Sequence, residues 1–192
     1  VFENVRHKLG LNDEMEAIQD ILKGKTTTSP SEHSGQGIFF TSKIADRFVL
    51  RSHRKELIID SLAGDVFVDD IRHQKGTRVL FSVAADAATG PDEIFKRYTG
   101  EDYQFDKTRV SVKLFASGES YVSRSQARRL LHTLSRFREI ALDFSGVPTV
   151  GQAFADEIFR VFKTAHPEIT IVPENMNENV AFMIRRALAE QS

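Results

Sequence analysis

The 192-residue sequence contains no cysteine and no tryptophan, and only five prolines and three methionines. The missing cysteine excludes disulfides, thiolate nucleophiles and cysteine-ligated metal sites, and it suits a reducing cytoplasm, the expected location. An excess of one charge is missing too: 26 Lys and Arg against 27 Asp and Glu leave a formal net charge of −1. No global basic field therefore draws the chain to nucleic acid or to a membrane surface. No apolar run approaches the roughly 18–20 residues needed to span a bilayer, and no secretory-leader pattern stands in the sequence. The six histidines include no pair at i, i+4 spacing and no H-E-x-x-H, so no metal centre is predicted. What remains is 41% hydrophobic and 28% charged, an ordinary globular composition with room for one large or two small domains. The 15 phenylalanines are core-like in placement. The chain opens Val1-Phe-Glu-Asn-Val rather than with Met, and a piece of a longer protein is expected.

Period and punctuation divide the chain. A helix is predicted over residues 12–23, capped by Asn12 or Asp13 with Glu16 behind it, carrying Met15, Ile18, Ile21 and Leu22 inward and stopped by Gly24. Residues 24–36 are polar and rich in Ser and Thr, a loop without core-forming residues. A second helix should run from Gly37 to Asp46. Four short β-segments follow, Arg47–Ser52, Glu56–Ser61, Asp65–Asp70 and Thr77–Ala84, separated by His53-Arg-Lys, Ala63-Gly64 and Lys75-Gly76, which predicts an antiparallel meander. A short helix begins at Pro91.

Beyond residue 107 strand and helix alternate. Strands are predicted at Arg109–Phe115, Glu139–Phe144 and Ile169–Val172, with helices at Ser123–Phe137, Gln152–Thr164 and Asn177–Ala189. Ser123 with Gln126 forms a capping-box pattern. This order predicts a mainly parallel sheet. The expected architecture is therefore α+β and α/β in two domains: residues 1–86, a linker with a short helix at 87–107, and residues 108–192.

The most informative stretch is His33-Ser-Gly-Gln-Gly-Ile-Phe-Phe-Thr-Ser-Lys43. Two glycines enter a helix whose first N–H groups and positive end can seat a phosphate; the plain alternative is a loop-to-helix turn. Residues 33–83 resemble the C-terminal part of the GHKL ATPase fold of gyrase, heat-shock chaperones, histidine kinases and anti-sigma-factor kinases. Gly35-Gln-Gly37-Ile-Phe-Phe-Thr-Ser-Lys-Ile-Ala-Asp matches its second glycine box, Arg47–Asp60 the following hairpin, and Lys75-Gly-Thr-Arg-Val-Leu-Phe the last strand. The resemblance implies an ATP lid at 24–34, phosphate contacts from Ser34, Gly35, Gln36, Gly37 and Ile38, and Thr77 near adenine. His33 adjoins this turn and is the histidine placed to meet phosphate; the others read as solvated loop residues. The family's Mg²⁺-binding Asn, its general-base Glu and its Asp-x-Gly-x-Gly segment are not in the chain. ATP with Mg²⁺ is thus expected in the intact parent, with none tightly bound by this piece.

Residues 139–162, with Leu142-Asp-Phe-Ser-Gly-Val and Gly151-Gln-Ala-Phe-Ala-Asp-Glu-Ile-Phe, resemble a STAS domain, closest to a STAS-like family of uncharacterised function. The resemblance extends over 108–188. It implies a βαβαβα domain whose relatives switch through a phosphorylated serine at the start of this helix. Gln152 stands near that position, with Ala153 beside it, so the switch is not expected here. Asp156 and Glu157 read either as solvated acids near a positive helix end or as contacts to a partner, and Gln152, Asp156 and Glu157 are the candidate partner-binding residues. Asp143 is expected to bond the following loop, and Ser145 and Thr149 to cap turns. Arg128-Arg129 and Arg185-Arg186 read as solvated faces.

The expected function is regulatory: a GHKL module coupled to a STAS-like domain, with a protein partner or intramolecular docking and possible self-association, no membrane and no direct nucleic-acid contact. An ATPase or protein kinase in the intact parent, and a structural interaction module with a vestigial nucleotide site, stand as alternatives. No catalytic residue is assigned.

Overall fold

A computed structural model describes residues 1–86, 90–100, 102–116 and 121–189. Residues 87–89 of the expected linker lie outside them. The chain divides into two units, Val1–Arg97 and Tyr98–Ser192, at a point inside the segment read as linker.

The first unit begins with α1 (Phe2–Leu9), a helix the sequence reading did not anticipate, closed by Gly10 in the left-handed conformation. Helix α2 (Glu14–Lys23) starts at Asp13, whose carboxylate accepts from the Glu16 N–H at 2.9 Å, and stops at Gly24. Helix α3 spans Gly37–Ile44. Phe2 and Val5 of α1 and Ala17, Ile18 and Ile21 of α2 pack on Phe48, Leu50, Leu57 and Ile59 of the following strand. Burying each of the Phe, Val, Ile and Leu side chains contributes about 1.5–3 kcal/mol against leaving it in water, and Ala17 less.

The expected four-strand meander is instead one long hairpin. Strand β1 (Arg47–Asp60) runs antiparallel to β2 (Asp65–Ser82). Only the turn around Ala63-Gly64 is a turn, with Gly64 at φ 65° and the Ala63 N–H held by Asp60. His53-Arg-Lys and Lys75-Gly76 are bulges within continuous strands: Ser52 pairs with Thr77, then His53 with Gln74, then Lys55 with Asp70. The left-handed backbone at His53 (φ 55°) and Gly76 (φ 82°) absorbs the extra residues without ending either strand. His53 is accordingly a strand residue rather than a loop one, its Nδ1 3.0 Å from Glu14 Oε1. Helix α4 covers Pro91–Tyr98, and Phe95 stacks on Phe40 of α3 at 4.4 Å.

The second unit holds three parallel strands in chain order: β3 (Lys107–Ser111), β4 (Glu139–Asp143) and β5 (Thr170–Glu174). Between them lie α5 (Arg124–Leu131) and a helical run comprising α6 (Gln152–Asp156), a π-helical stretch Glu157–Phe162 and the short α7 (Lys163–Ala165); α8 (Glu178–Ala189) closes the unit. The βαβαβα order and the parallel sheet are as expected, with differences at element ends. The strand predicted to Phe115 stops at Ser111 and continues as a 3₁₀ turn, Val112–Phe115. The helix predicted to Phe137 breaks at His132, because Thr133 adopts φ 68°, and resumes as a 3₁₀ turn at Leu134–Arg136. The Ser123–Gln126 capping box is present. Ile140 and Leu142 of β4 and Thr108 and Val110 of β3 are buried, while Arg109, Ala141 and Val172 form a row across the less covered face.

Lys23, at the end of α2, is fully buried, and its ammonium lies 2.8 Å from the equally buried Asp20. Burial holds the Lys23 pKa below the usual lysine range, partly offset by the Asp20 charge. Asp20→Ala removes the acid 2.8 Å from the buried ammonium, on which Glu16 also acts, and is expected to destabilise the first unit by about 3–5 kcal/mol. Urea unfolding of the variant against the parent chain checks this; a loss of under about 1 kcal/mol would show that the ammonium finds another environment.

Candidate functional site

Two regions hold the residues singled out by the sequence. In the first unit, Ser34–Ile38 form the entry to α3. Gly35 has φ 72°, and a Cβ there would meet the Thr26 carbonyl oxygen at 2.6 Å and the Lys25 carbonyl carbon at 2.7 Å. The loop from 26 to 35 is thereby pinched closed at its neck, and only glycine satisfies both the conformation and the approach. Gly37 differs: its backbone is not left-handed and a Cβ there would meet nothing within 4 Å. Gln36 precedes the helix without a side-chain cap of its own. Thr77 stands on β2 opposite Ser52, on a different element from the turn. His33 is exposed beside it.

In the second unit, α6 begins at Gln152 after Gly151. The Gly151 N–H donates to the Tyr121 carbonyl at 2.8 Å, and a Cβ at 151 would lie 2.8 Å from the Val122 Cα. The start of this helix is therefore pressed against the 121–122 backbone.

Asp156 and Glu157 are neither solvated nor turned outward: they are 5% and 6% exposed. The solvent exposure read for them is corrected by their partners. Arg160, one helical turn on, grips both Asp156 oxygens, its Nη2 at 2.8 Å from Oδ2. Arg124 Nη2 lies 3.4 Å from Asp156 Oδ2, and Arg128 Nε donates to Glu157 Oε1 at 2.7 Å. Arg128 is thus solvent-exposed, as read, and at the same time the outer partner of a buried acid. The hydrogen bonds from Arg160 first, and then the charges of Arg160 and Arg124, outweigh burial and hold the Asp156 carboxyl below its ordinary pKa. The sequence reading missed all three arginines as partners. The i, i+4 spacing of Asp156 and Arg160 was the signal available; Arg124 and Arg128 come from another helix.

Asp143 ends β4. Its Oδ1 accepts from the Ser145 N–H (3.0 Å), the Ser145 hydroxyl (2.7 Å) and Asn175 Nδ2 (2.9 Å), and Arg109 lies 3.2 Å from Oδ2. Burial works to raise its pKa, but the bonds from Asn175 and Ser145 and the Arg109 charge prevail and lower it. Arg109 also meets Glu174 at 3.1 Å. The cluster ties the carboxyl ends of β4 and β5 to β3, and Ser145 serves as a turn cap. Among the described residues no group of three or more His, Asp or Glu is arranged to hold a metal, and no helix is long and apolar enough to cross a membrane.

A family model described as a STAS-like domain of unknown function (DUF4325) matches residues 126–181. That stretch is STAS-like; it takes in most of α5, the Asp143 loop, the acidic pair and the first turn of α8. The match does not extend into Val1–Arg97. No curated relative and no solved structure matches the chain.

Gly35→Ala is expected to destabilise the first unit by about 1–3 kcal/mol. Gly37→Ala, at the first position of α3, should change stability by less than about 1 kcal/mol or raise it; denaturant midpoints of the two variants separate these outcomes. For Asp156, a depressed folded pKa means that its stabilisation is fully present above the ordinary value of 3.8 and is lost as pH falls through the lower, folded value. Asp156→Asn should therefore flatten the loss of stability on acidification below that value, read from urea unfolding at stepped pH, while leaving the protein weaker at neutral pH.

Proposed function

We propose that the chain is a regulatory binding protein in which part of a GHKL nucleotide-binding module is coupled to a STAS-like docking domain, and that this stretch performs no chemistry itself. The observation that carries the reading lies in the STAS-like stretch: the buried acids Asp156 and Glu157 are paired with arginines within the unit, and Gln152 stands near the position where the STAS domains it resembles carry a phosphorylatable serine. Carboxylates fixed in that way are poor proton acceptors and nucleophiles, whereas a rigid polar seam supports recognition.

For the first unit, three features support the nucleotide reading. The Gly35 neck fixes the path of the loop into α3, α3 opens without a side-chain cap, and Gly37 leaves room for close approach to its backbone. The β1–β2 hairpin adds a fourth. Val79, Leu80 and Phe81 of β2 are 52%, 44% and 45% exposed although their partners Leu50, Val49 and Phe48 are buried. A larger GHKL sheet would cover those residues. In this reading the module senses nucleotide through the α3 entry, and the STAS-like domain passes that state to a protein partner. ATP hydrolysis or protein phosphorylation would need the Asn, the general-base Glu and the Asp-x-Gly-x-Gly segment of the resembling family, none of which is among these residues.

Calorimetric titration with MgATP tests the proposal. Residues 1–192 are expected to show no binding tighter than millimolar, and a form extended N-terminally to include an Asp-x-Gly-x-Gly segment is expected to bind it and to lose binding on Gly37→Val. Tight MgATP binding by residues 1–192 alone would overturn the assignment of the missing anchors. Absence of binding by both forms would leave a purely structural interaction module.

A further inference from the structure

Between Tyr121 and Arg138 the sequence carries five arginines, Arg124, Arg128, Arg129, Arg136 and Arg138, and no Asp or Glu. All five are exposed, as is His132, while Ala127, Leu130, Leu131, Leu134 and Phe137 face inward. The charged side chains on the outer surface of α5 and the 3₁₀ turn behind it are therefore all basic, interspersed with exposed Ser125 and Ser135, in a chain whose formal net charge is −1. Two of these side chains are also fixed. Arg124 and Arg128 are mostly exposed, yet their guanidinium groups rest on Asp156 and Glu157, which are buried beneath them. Asp156 already holds Arg160 on both oxygens, so Arg124 is additional to what neutralises that acid. The run of helix supplying the carboxylates turns π-helical at Glu157, a departure that recurs at functional sites.

We infer that this face docks an acidic segment of a protein partner, whose carboxylates meet the anchored guanidinium groups. A guanidinium held in place from below keeps its remaining N–H fork pre-oriented, and the planar fork matches a carboxylate bidentately. Ordering losses on binding are correspondingly smaller. Nucleic acid fits the same surface less well. The buried acids offset part of the charge that a continuous phosphate track would use, and the whole chain has no basic field to steer a polyanion. Among the described residues the face offers no stacking platform: its exposed large apolar residue is Val122, not an aromatic. The same lack of bulky apolar side chains disfavours insertion at a lipid surface. This inference rests on reading the second unit as a docking domain and names the chemistry of what docks.

The experiment uses the full chain without nucleotide, so that failure of the nucleotide reading leaves it untouched. A fluorescein-labelled polyglutamate peptide of about twenty residues is titrated by anisotropy at about 50 mM and about 200 mM salt, a range over which exposed charge contacts weaken through screening. Binding is expected at low salt and should fall as salt rises. Arg129→Gln with Arg136→Gln, in protein whose circular dichroism is unchanged, should weaken it by about tenfold. Arg185→Gln with Arg186→Gln on α8 removes the same charge elsewhere and should change it by less than about twofold. Equal losses from the two pairs would reduce the effect to net charge and overturn the site. Failure to bind the peptide, or tighter binding of single-stranded DNA or anionic vesicles, would overturn the partner chemistry.

Discussion

The second unit depends on two adjacent acids that the helix following β4 drives inward. Asp156 and Glu157 sit on neighbouring positions of one helix, and both are all but removed from water. An isolated carboxylate in that position would be neutralised by protonation rather than stay charged. Asp156 keeps its charge because Arg160 reaches back along the same helix and Arg124 reaches across from α5, and Arg128 reaches across to pair with Glu157. The attraction recovers the desolvation loss only if the geometry holds. The seam links α5 to the helix beneath it through Arg124 and Arg128.

The same logic explains the carboxyl end of the sheet. Parallel strands have no tight turn to lock their relative stagger, and their ends open into loops. Asp143 gathers Ser145, Asn175 and Arg109 onto one carboxylate, and Arg109 carries the link to Glu174. Ligands of open α/β sheets commonly sit at this end. In this chain the position is filled by groups that satisfy one another, and the next helix starts against the Tyr121–Val122 backbone. A loop hydroxyl committed to its own turn is poorly placed for modification.

Much of this was legible where the determinants are local. Asp13 before Glu16, and Ser123 before Gln126, place helix starts within one turn, and both caps form as the spacing requires. Alternating strand and helix segments beyond residue 107 correctly give the parallel order. What failed depends on partners distant in sequence. Lys75-Gly76 and His53-Arg-Lys carry good turn chemistry, but they face each other across the hairpin, so each relieves the other's irregularity and the strands continue. Thr133 breaks a helix whose apolar stripe runs on to Phe137, and nothing in the stripe announces a left-handed threonine. Asp156 and Glu157 look like surface acids because charge normally stays in water; Arg160 lies one turn on, but Arg124 and Arg128 lie about one helix and one strand earlier. The glycine turn was half legible: the sequence marks Gly35 and Gly37 alike, whereas only Gly35 is required by its backbone and its neighbours.

That asymmetry bears on what each glycine does. Gly35 is demanded by the fold itself, through its left-handed backbone and the approach of the Thr26 and Lys25 carbonyl groups, and bears on a ligand only by fixing the path of the loop. A glycine that the fold does not demand is the better indicator, and Gly37 is one: it opens α3, where alanine would favour the helix by about 1 kcal/mol, yet nothing crowds its missing Cβ. Under the proposed nucleotide reading, a phosphate at this turn would depend on the second glycine rather than the pair, and on the helix that starts there rather than on the loop that leads to it.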